Sequence, residues 1–167
     1  MIIVFEGPDG AGKSTLIDQL SRELGLKVFR SGGPKDCELM NETITKLAVL
    51  SMDKETILCD RAPWISERIY SKALNRYPVV SRKVLENALN IPQKIVFCYS
   101  GSSEDMLPQM SLEFKAHKPK EHLEAVKNNH KRICEEYQML MKELRKDIRV
   151  FDYDWKTYNH QQLLSWI

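Results

Sequence analysis

The chain shows almost no excess of either charge. Its 167 residues carry 25 Lys and Arg against 23 Asp and Glu, a formal net charge of +2. So even a balance argues against a broad nucleic-acid or membrane-binding face, although local basic clusters keep their meaning. No apolar run approaches the length that spans a bilayer, and Met1 leads straight into a strand pattern with no basic start and no long apolar stretch. The expectation is a cytoplasmic protein with no membrane partner. Cysteine is scarce too: Cys37, Cys59, Cys98 and Cys134 lie far apart, form no C-x-x-C pair and have no matching histidine spacing. Free buried thiols are therefore expected rather than zinc ligands or disulfides. Internal repeats, low-complexity tracts and linker-like composition are lacking, so residues 1–167 read as one domain with enough apolar content for a real core.

Against that plain background residues 7–15, GPDGAGKST, fit the pattern G-x-x-x-x-G-K-[S/T]. They follow an apolar run (Ile2, Ile3, Val4, Phe5) and precede a stretch in which Leu16, Ile17, Leu20 and Leu24 mark one helix face. A glycine-rich turn can precede any helix, but a complete motif in a strand-loop-helix frame is hard to obtain from packing alone. The candidate phosphate-binding set is Gly7, Asp9, Gly10, Ala11, Gly12, Lys13, Ser14 and Thr15. Glycines free the backbone amides to face an anion, and the helix start directs its dipole there. Lys13 would hold the β- and γ-phosphates, and Ser14 would coordinate Mg2+ through its hydroxyl. Thr15 would cap the helix or contact the α-phosphate.

Further apolar runs at residues 27–30, 56–60, 94–99 and 147–151 alternate with helical patterns. Strands apolar on both faces need helices on both sides, which makes an α/β fold with a parallel sheet and gathers the useful loops at the strands' carboxyl edge. The phosphate loop, Arg30 with Ser31, Gly32 and Gly33, and Asp60 with Arg61 should meet there. The longest helix is expected to open at Pro119 and to carry a stripe of Leu123, Val126, His130, Ile133, Tyr137, Leu140 and Leu144. His130 in such a stripe reads as a satisfied core histidine. Residues 101–120, with Gly, Ser and Pro near the start and Lys115, Lys118 and Lys120 near the end, read as a lid, the alternative being a solvated loop.

Asp60 and Arg61 close an apolar strand, a costly place for charges that only pack. Beside a nucleotide, Asp60 could hold Mg2+ or its waters and Arg61 could grip a phosphate with two prongs. The bland alternative is an Asp-Arg ion pair at a strand end. The helix from Pro63 then carries Trp64 and Tyr70, which could stack on a base or sugar, although aromatics on a helix are more often core.

Three segments carry a family resemblance: IVFEGPDGAGKST at residues 3–15, FRSGGP at 29–34 and CDRAPWISERIYS at 59–71. Together they resemble the thymidylate kinase-like branch of the P-loop nucleoside and nucleotide kinases, including its shorter phage members. The resemblance covers about the first two fifths of the chain. It implies a three-layer α/β/α fold with a five-stranded parallel sheet, ATP as donor and a lid over the phosphates. By the same resemblance Asp9 would touch the acceptor sugar, Arg30 and Arg61 the acceptor phosphate, and backbone near residues 152–154 the adenine. Related kinases are often homodimers. The chain departs from the family in three respects. Gly10 stands where some members place an arginine, which leaves the transition-state cation to lid residues such as Lys115 and Lys118. Residues 47–55 lack the Phe-Ala-Ala-Asp-Arg signature that helps place thymine, and the chain is shorter around the acceptor-side helix.

A monophosphate acceptor already offers an anionic oxygen near neutral pH and needs no general base. Deoxynucleoside kinases usually place a Glu after the second strand as base, whereas Arg30 stands here. The reading is therefore Mg-ATP-dependent phosphoryl transfer to a small-molecule (deoxy)nucleoside monophosphate. The alternatives are a kinase acting on a deoxynucleoside or on a hydroxymethylated base in DNA, with Asp60 as base, and a nucleotide-binding switch module. Only the DNA alternative brings a nucleic-acid partner. Against the switch, N-K-x-D is missing and no D-x-x-G turn stands apart from the phosphate loop.

Overall fold

In the computed structural model, all five side chains of the first strand, β1 (Ile2–Glu6), are buried. Successive side chains of a strand point to opposite faces, so β1 calls for a packed layer on each side. The structure describes residues 1–31, 36–101, 104, 106, 120–157 and 159–167. After β1 come α1 (Lys13–Leu24), β2 (Lys27–Arg30), α2 (Cys37–Met52), β3 (Ile57–Asp60), α3 (Pro63–Ala73) and α4 (Arg82–Ala88). β4 (Gln93–Cys98), α5 (Lys120–Asn128), α6 (His130–Leu144), β5 (Val150–Tyr153) and α7 (His160–Trp166) complete the described elements. The five strands form one sheet in the order β2-β3-β1-β4-β5, and every neighbouring pair is parallel. This is the expected three-layer α/β/α arrangement.

The two faces of β1 lead into two cores. Ile2 and Val4 join Ile57, Ile95 and Phe97 of the sheet with Leu47 of α2, Ile65 of α3 and Ile133 and Tyr137 of α6. Ile3 and Phe5 join Leu58, Val96 and Cys98 with Leu16, Ile17 and Leu20 of α1 and Leu163 of α7. Helix boundaries follow local chemistry. Asp36 caps α2 by accepting from Leu39 N at 2.8 Å, Pro63 occupies the first turn of α3, and Gly25 ends α1 in the left-handed conformation with φ 65°. Register then places the edge groups: Asp60 lies opposite Phe5 of β1 and opposite Arg30 of β2.

Four expectations need correction. The helical stripe is not one helix: Asn129, at φ −109° and ψ 12°, separates α5 from α6. Both its backbone N, at 3.2 Å, and its side-chain Nδ2, at 2.9 Å, donate to Ala125 O. The longest helix among the described residues is α2 with 16 residues. The fifth strand runs over Val150–Tyr153 instead of 147–151, because Asp147 and Ile148 close the end of α6 by donating to Leu144 O at 3.1 and 2.8 Å. Asp152 therefore lies inside that strand. Cys37 is exposed, whereas Cys59, Cys98 and Cys134 are buried as expected. The lid residues Lys115 and Lys118, together with Pro119, Gly32 and Gly33, lie outside the described residues. Met106, within that lid segment, is fully buried in the α1-side core. Among the described residues no helix is long and apolar enough to cross a membrane.

Candidate active site

The phosphate loop begins where β1 ends, and its first glycine is a matter of space. Gly7 has φ 148°, and a Cβ there would stand 2.1 Å from the carbonyl oxygen of Cys98 on β4, so no side chain fits. Gly12, at φ 72°, turns the backbone into α1. Lys13 crosses the loop and donates from Nζ to Pro8 O at 2.6 Å. Burial, followed by the nearby Arg61 charge, pulls its pKa down. Ser14 and Thr15 are exposed at the start of α1.

Beside the loop lies a buried charge cluster. Arg61 directly follows β3 and sits in the left-handed region at φ 68°, a conformation costing an ordinary residue on the order of 1–3 kcal/mol and found where surrounding structure enforces it. Its backbone N donates to Phe5 O at 3.1 Å, and its carbonyl accepts from the Cys59 thiol at 3.1 Å. The guanidinium donates from Nη2 to Asp9 Oδ1 at 2.8 Å and from Nη1 to Tyr137 Oη at 2.7 Å. It also stands 5.5 Å from the centre of the Tyr70 ring. Tyr70 donates to the other Asp9 oxygen at 2.5 Å, and Tyr137 donates to Glu6 Oε2 at 2.9 Å.

Glu6 is fully buried. Its Oε1 accepts from Ala62 N at 2.7 Å and from Ser66 Oγ at 3.1 Å, and Arg61 Nη1 lies 3.9 Å from Oε2. Burial raises its pKa, against the opposing pull of Arg61 and these donors. Burial likewise raises the Tyr70 and Tyr137 hydroxyls well above the usual phenol value. For Arg61 burial acts downward but is outweighed by Tyr137, Tyr70, Asp9 and Glu6, so the guanidinium stays charged. His130 Nε2 lies 3.1 Å from Asp9 O; a carbonyl can only accept, so Nε2 carries the proton. His130 thus packs the loop's backbone from α6.

The second cluster lies toward the sheet's β2 edge. Arg30 donates from Nη1 to Asp60 Oδ2 at 2.7 Å and from Nη2 to Asp18 Oδ1 at 2.5 Å. Ser14 Oγ donates to the same Asp60 Oδ2 at 3.4 Å. Ser14 and Asp60 are accordingly the pair that could hold a divalent cation. One hydroxyl and one carboxylate are a set that Mg2+ can use, since it takes few protein ligands and keeps water or phosphate oxygens; among the described residues no three His, Cys, Asp or Glu side chains converge.

A cleft of about 250 Å³ opens on the other side of the loop, lined by Gly10, Gly12, Thr15, Gln19, Tyr153 and Trp155. Trp155 is half-buried beside the start of α1, with Lys156 Nζ 5.8 Å from its ring centre.

The structure brings together Asp9, Arg61 and Tyr70, and separately Ser14, Arg30 and Asp60. Two expected roles change. The two-pronged contact of Arg61, anticipated toward an acceptor phosphate, is made here with Asp9 and Tyr137, because buried Glu6 and Asp9 need a counter-charge. Trp64, expected as a stacking platform, is 1% exposed and belongs to the core beneath α3. The alternative of an Asp60–Arg61 pair is not realised either, since Asp60 pairs with Arg30. Sequence reading missed Glu6, Tyr137, Asp18 and Trp155. Only Glu6, a lone acid ending an apolar strand, carried a local signal.

No family model and no curated protein matches the sequence. Solved structures do. The YorR protein of Bacillus subtilis, determined in complex with phosphorylated GDP, superposes at a TM-score of 0.67 with 18% identity over 99% of this chain and 92% of that one. Deoxyadenosine kinase from M. mycoides, determined with dCMP and dCDP, gives 0.66 and 17% over 99% and 97%. Thymidylate kinase from Ehrlichia chaffeensis gives 0.55 and 14% over 99% and 96%. At these identities the likeness is one of fold, and the chain has the P-loop kinase fold.

Proposed function

We propose that this protein is a kinase that transfers the γ-phosphoryl group of Mg-ATP to a (deoxy)nucleoside monophosphate. The observation that carries the reading is Arg30: a half-exposed guanidinium at the carboxyl end of β2, separated from the phosphate-loop strand by β3 and bonded to Asp60. A hydroxyl acceptor would call for a base at that place, whereas a phosphorylated acceptor calls for a two-pronged cation.

Phosphoryl transfer asks mainly for alignment and charge neutralisation, with no covalent intermediate on the protein. The loop amides and Lys13 hold the donor phosphates, and the Trp155 cleft takes the donor base. Ser14 and Asp60 would hold Mg2+, which would supply positive charge to offset the charge developing on the transferred group. Arg30 binds the acceptor phosphate. Asp9 faces the acceptor sugar, with Arg61 and Tyr70 fixing its carboxylate. Lys115 and Lys118 are proposed as the remaining cations over the moving phosphoryl group.

An ADP-release assay with Mg-ATP over the common ribo- and deoxyribonucleoside monophosphates, free nucleosides and hydroxymethyluracil-containing DNA tests this. The expected result is selective turnover of one or a few monophosphates, abolished by Lys13→Ala. Turnover with nucleosides or DNA alone would overturn the proposal and recast Asp60 as a general base. Silence across the panel would favour a binding module.

A further inference from the structure

Arg30 and the candidate cation site compete for one atom. Asp60 Oδ2 lies 2.7 Å from Arg30 Nη1 and 3.4 Å from Ser14 Oγ, so a cation held between Ser14 and Asp60 uses the oxygen that also holds the guanidinium. Mg2+ binds such an oxygen at about 2.0–2.1 Å, and two cations sharing it repel each other. The other arm of Arg30 is held by Asp18, which follows Ser14 by one turn of α1 and shares its face. Asp18 is 59% exposed and its carboxylate makes no other bond among the described residues. Arg30 is 46% exposed, so its guanidinium can turn into solvent without leaving a closed pocket.

On the reading of Arg30 as the acceptor-phosphate ligand, we infer that Asp18 is a positioning residue which, with Asp60, parks Arg30 away from the acceptor until Mg-nucleotide claims Asp60. Two carboxylates and one acceptor phosphate then contend for a single guanidinium. Metal-nucleotide binding removes one contender, so donor and acceptor bind with positive coupling, and by linkage each strengthens the other by the same factor. Asp18 sets how tightly Arg30 is withheld, and its removal releases the arginine without deleting a donor-site ligand.

Calorimetric titration of the monophosphate identified by the panel, with and without Mg and a non-hydrolysable ATP analogue, reads this directly without turnover. The wild-type protein should bind the monophosphate several-fold more tightly when Mg and the analogue are present, and the gain should vanish when EDTA replaces Mg. Asp18→Asn should tighten binding to the nucleotide-free protein by about two- to five-fold, the range set by an exposed ion pair, and shrink the coupling. Loss of a nearby negative charge would also attract a phosphate through space, so the substitution is repeated on Arg30→Ala, where release of Arg30 cannot contribute. The effect of Asp18→Asn should largely disappear there. Unchanged or weaker acceptor binding in Asp18→Asn, an equal effect in both backgrounds, or wild-type coupling of one despite turnover would overturn the inference while leaving the proposed function standing. Absence of any monophosphate substrate would overturn both.

Discussion

Two arginines stand at the carboxyl edge of the same sheet, each between two carboxylates, and they differ in what surrounds them. Arg61 is 17% exposed and faces Glu6 and Asp9, both buried, with two tyrosines closing the ring of contacts. Arg30 is 46% exposed and faces Asp18, which is open to solvent, and Asp60, which is 16% exposed. A buried guanidinium with two buried acids cannot leave without stranding charge in a low-dielectric interior. An exposed one can exchange partners at little cost, because water replaces what it loses. Identical chemistry thus gives a fixed strut in one place and a transferable ligand in the other.

Removing each arginine is the sharpest way to break this comparison. Arg61→Ala should destabilise the fold by about 3–5 kcal/mol, the range for stripping one partner from a buried charge cluster, measured by chemical denaturation. Arg61→Lys should recover only part of it, since one ammonium cannot reach Tyr137 and Asp9 in the geometry of a planar fork. A loss below about 1 kcal/mol for Arg61→Ala would mean the cluster is not a strut. Arg30→Ala should do the reverse: unfolding stability within about 1 kcal/mol of wild type, but an acceptor KM raised at least about tenfold, equivalent to roughly 1.4 kcal/mol of binding. Equal damage to stability from both variants would erase the distinction.

How far the sequence reveals these clusters depends on how local their parts are. The phosphate loop was legible because its chemistry is written in consecutive residues, and β1 through β4 because each is a short apolar run beside a turn. The break at Asn129 was not, since the apolar period continues across it. The fifth strand reads too early in the sequence because Ile148, which fits a strand pattern, closes a helix through Leu144. In the sequence Arg61 reads as a grip for an exposed phosphate, because the residues that bury it are remote in sequence: Glu6 and Tyr137 meet across a separation of 131 positions. Asp18 looked like any polar residue on a helix until β2 brought Arg30 beside it.

A smaller effect asks which force dominates inside the buried cluster. Burial raises the folded-state pKa of Glu6 above its ordinary 4.5, while Arg61 opposes that rise. A raised pKa means that the folded state holds the proton more tightly than the unfolded chain. The stabilisation from Glu6 is then complete below pH 4.5 and is lost as pH climbs through the raised value. The stability advantage of wild type over Glu6→Gln should accordingly narrow from pH 4 to neutral pH in paired denaturation curves. A widening gap would mean that the attraction of Arg61 outweighs the burial cost.

Thiol chemistry gives the mildest probe, because it perturbs neither arginine yet has a reporter in each region. Cys59 lies directly behind Arg61, its thiol donating to the Arg61 carbonyl, and burial holds its pKa well above the ordinary value. Cys98 sits under the phosphate loop and is pushed up to about 12 by burial, and Cys134 also reaches about 12. Cys37 opens α2 beyond the Arg30 strand and is exposed. Thiolate is the reactive form, so a disulfide reagent at mildly alkaline pH should modify Cys37 quickly and the other three only as the structure opens. Arg61→Ala should speed the slow phase and bring Cys59 forward in it, since loss of the strut loosens the turn that shields this thiol. Arg30→Ala should leave the slow phase at the wild-type rate. If both variants exposed Cys59 alike, the two arginines would belong to one cooperative unit, and the exchange of Arg30 would disturb the same core that Arg61 supports.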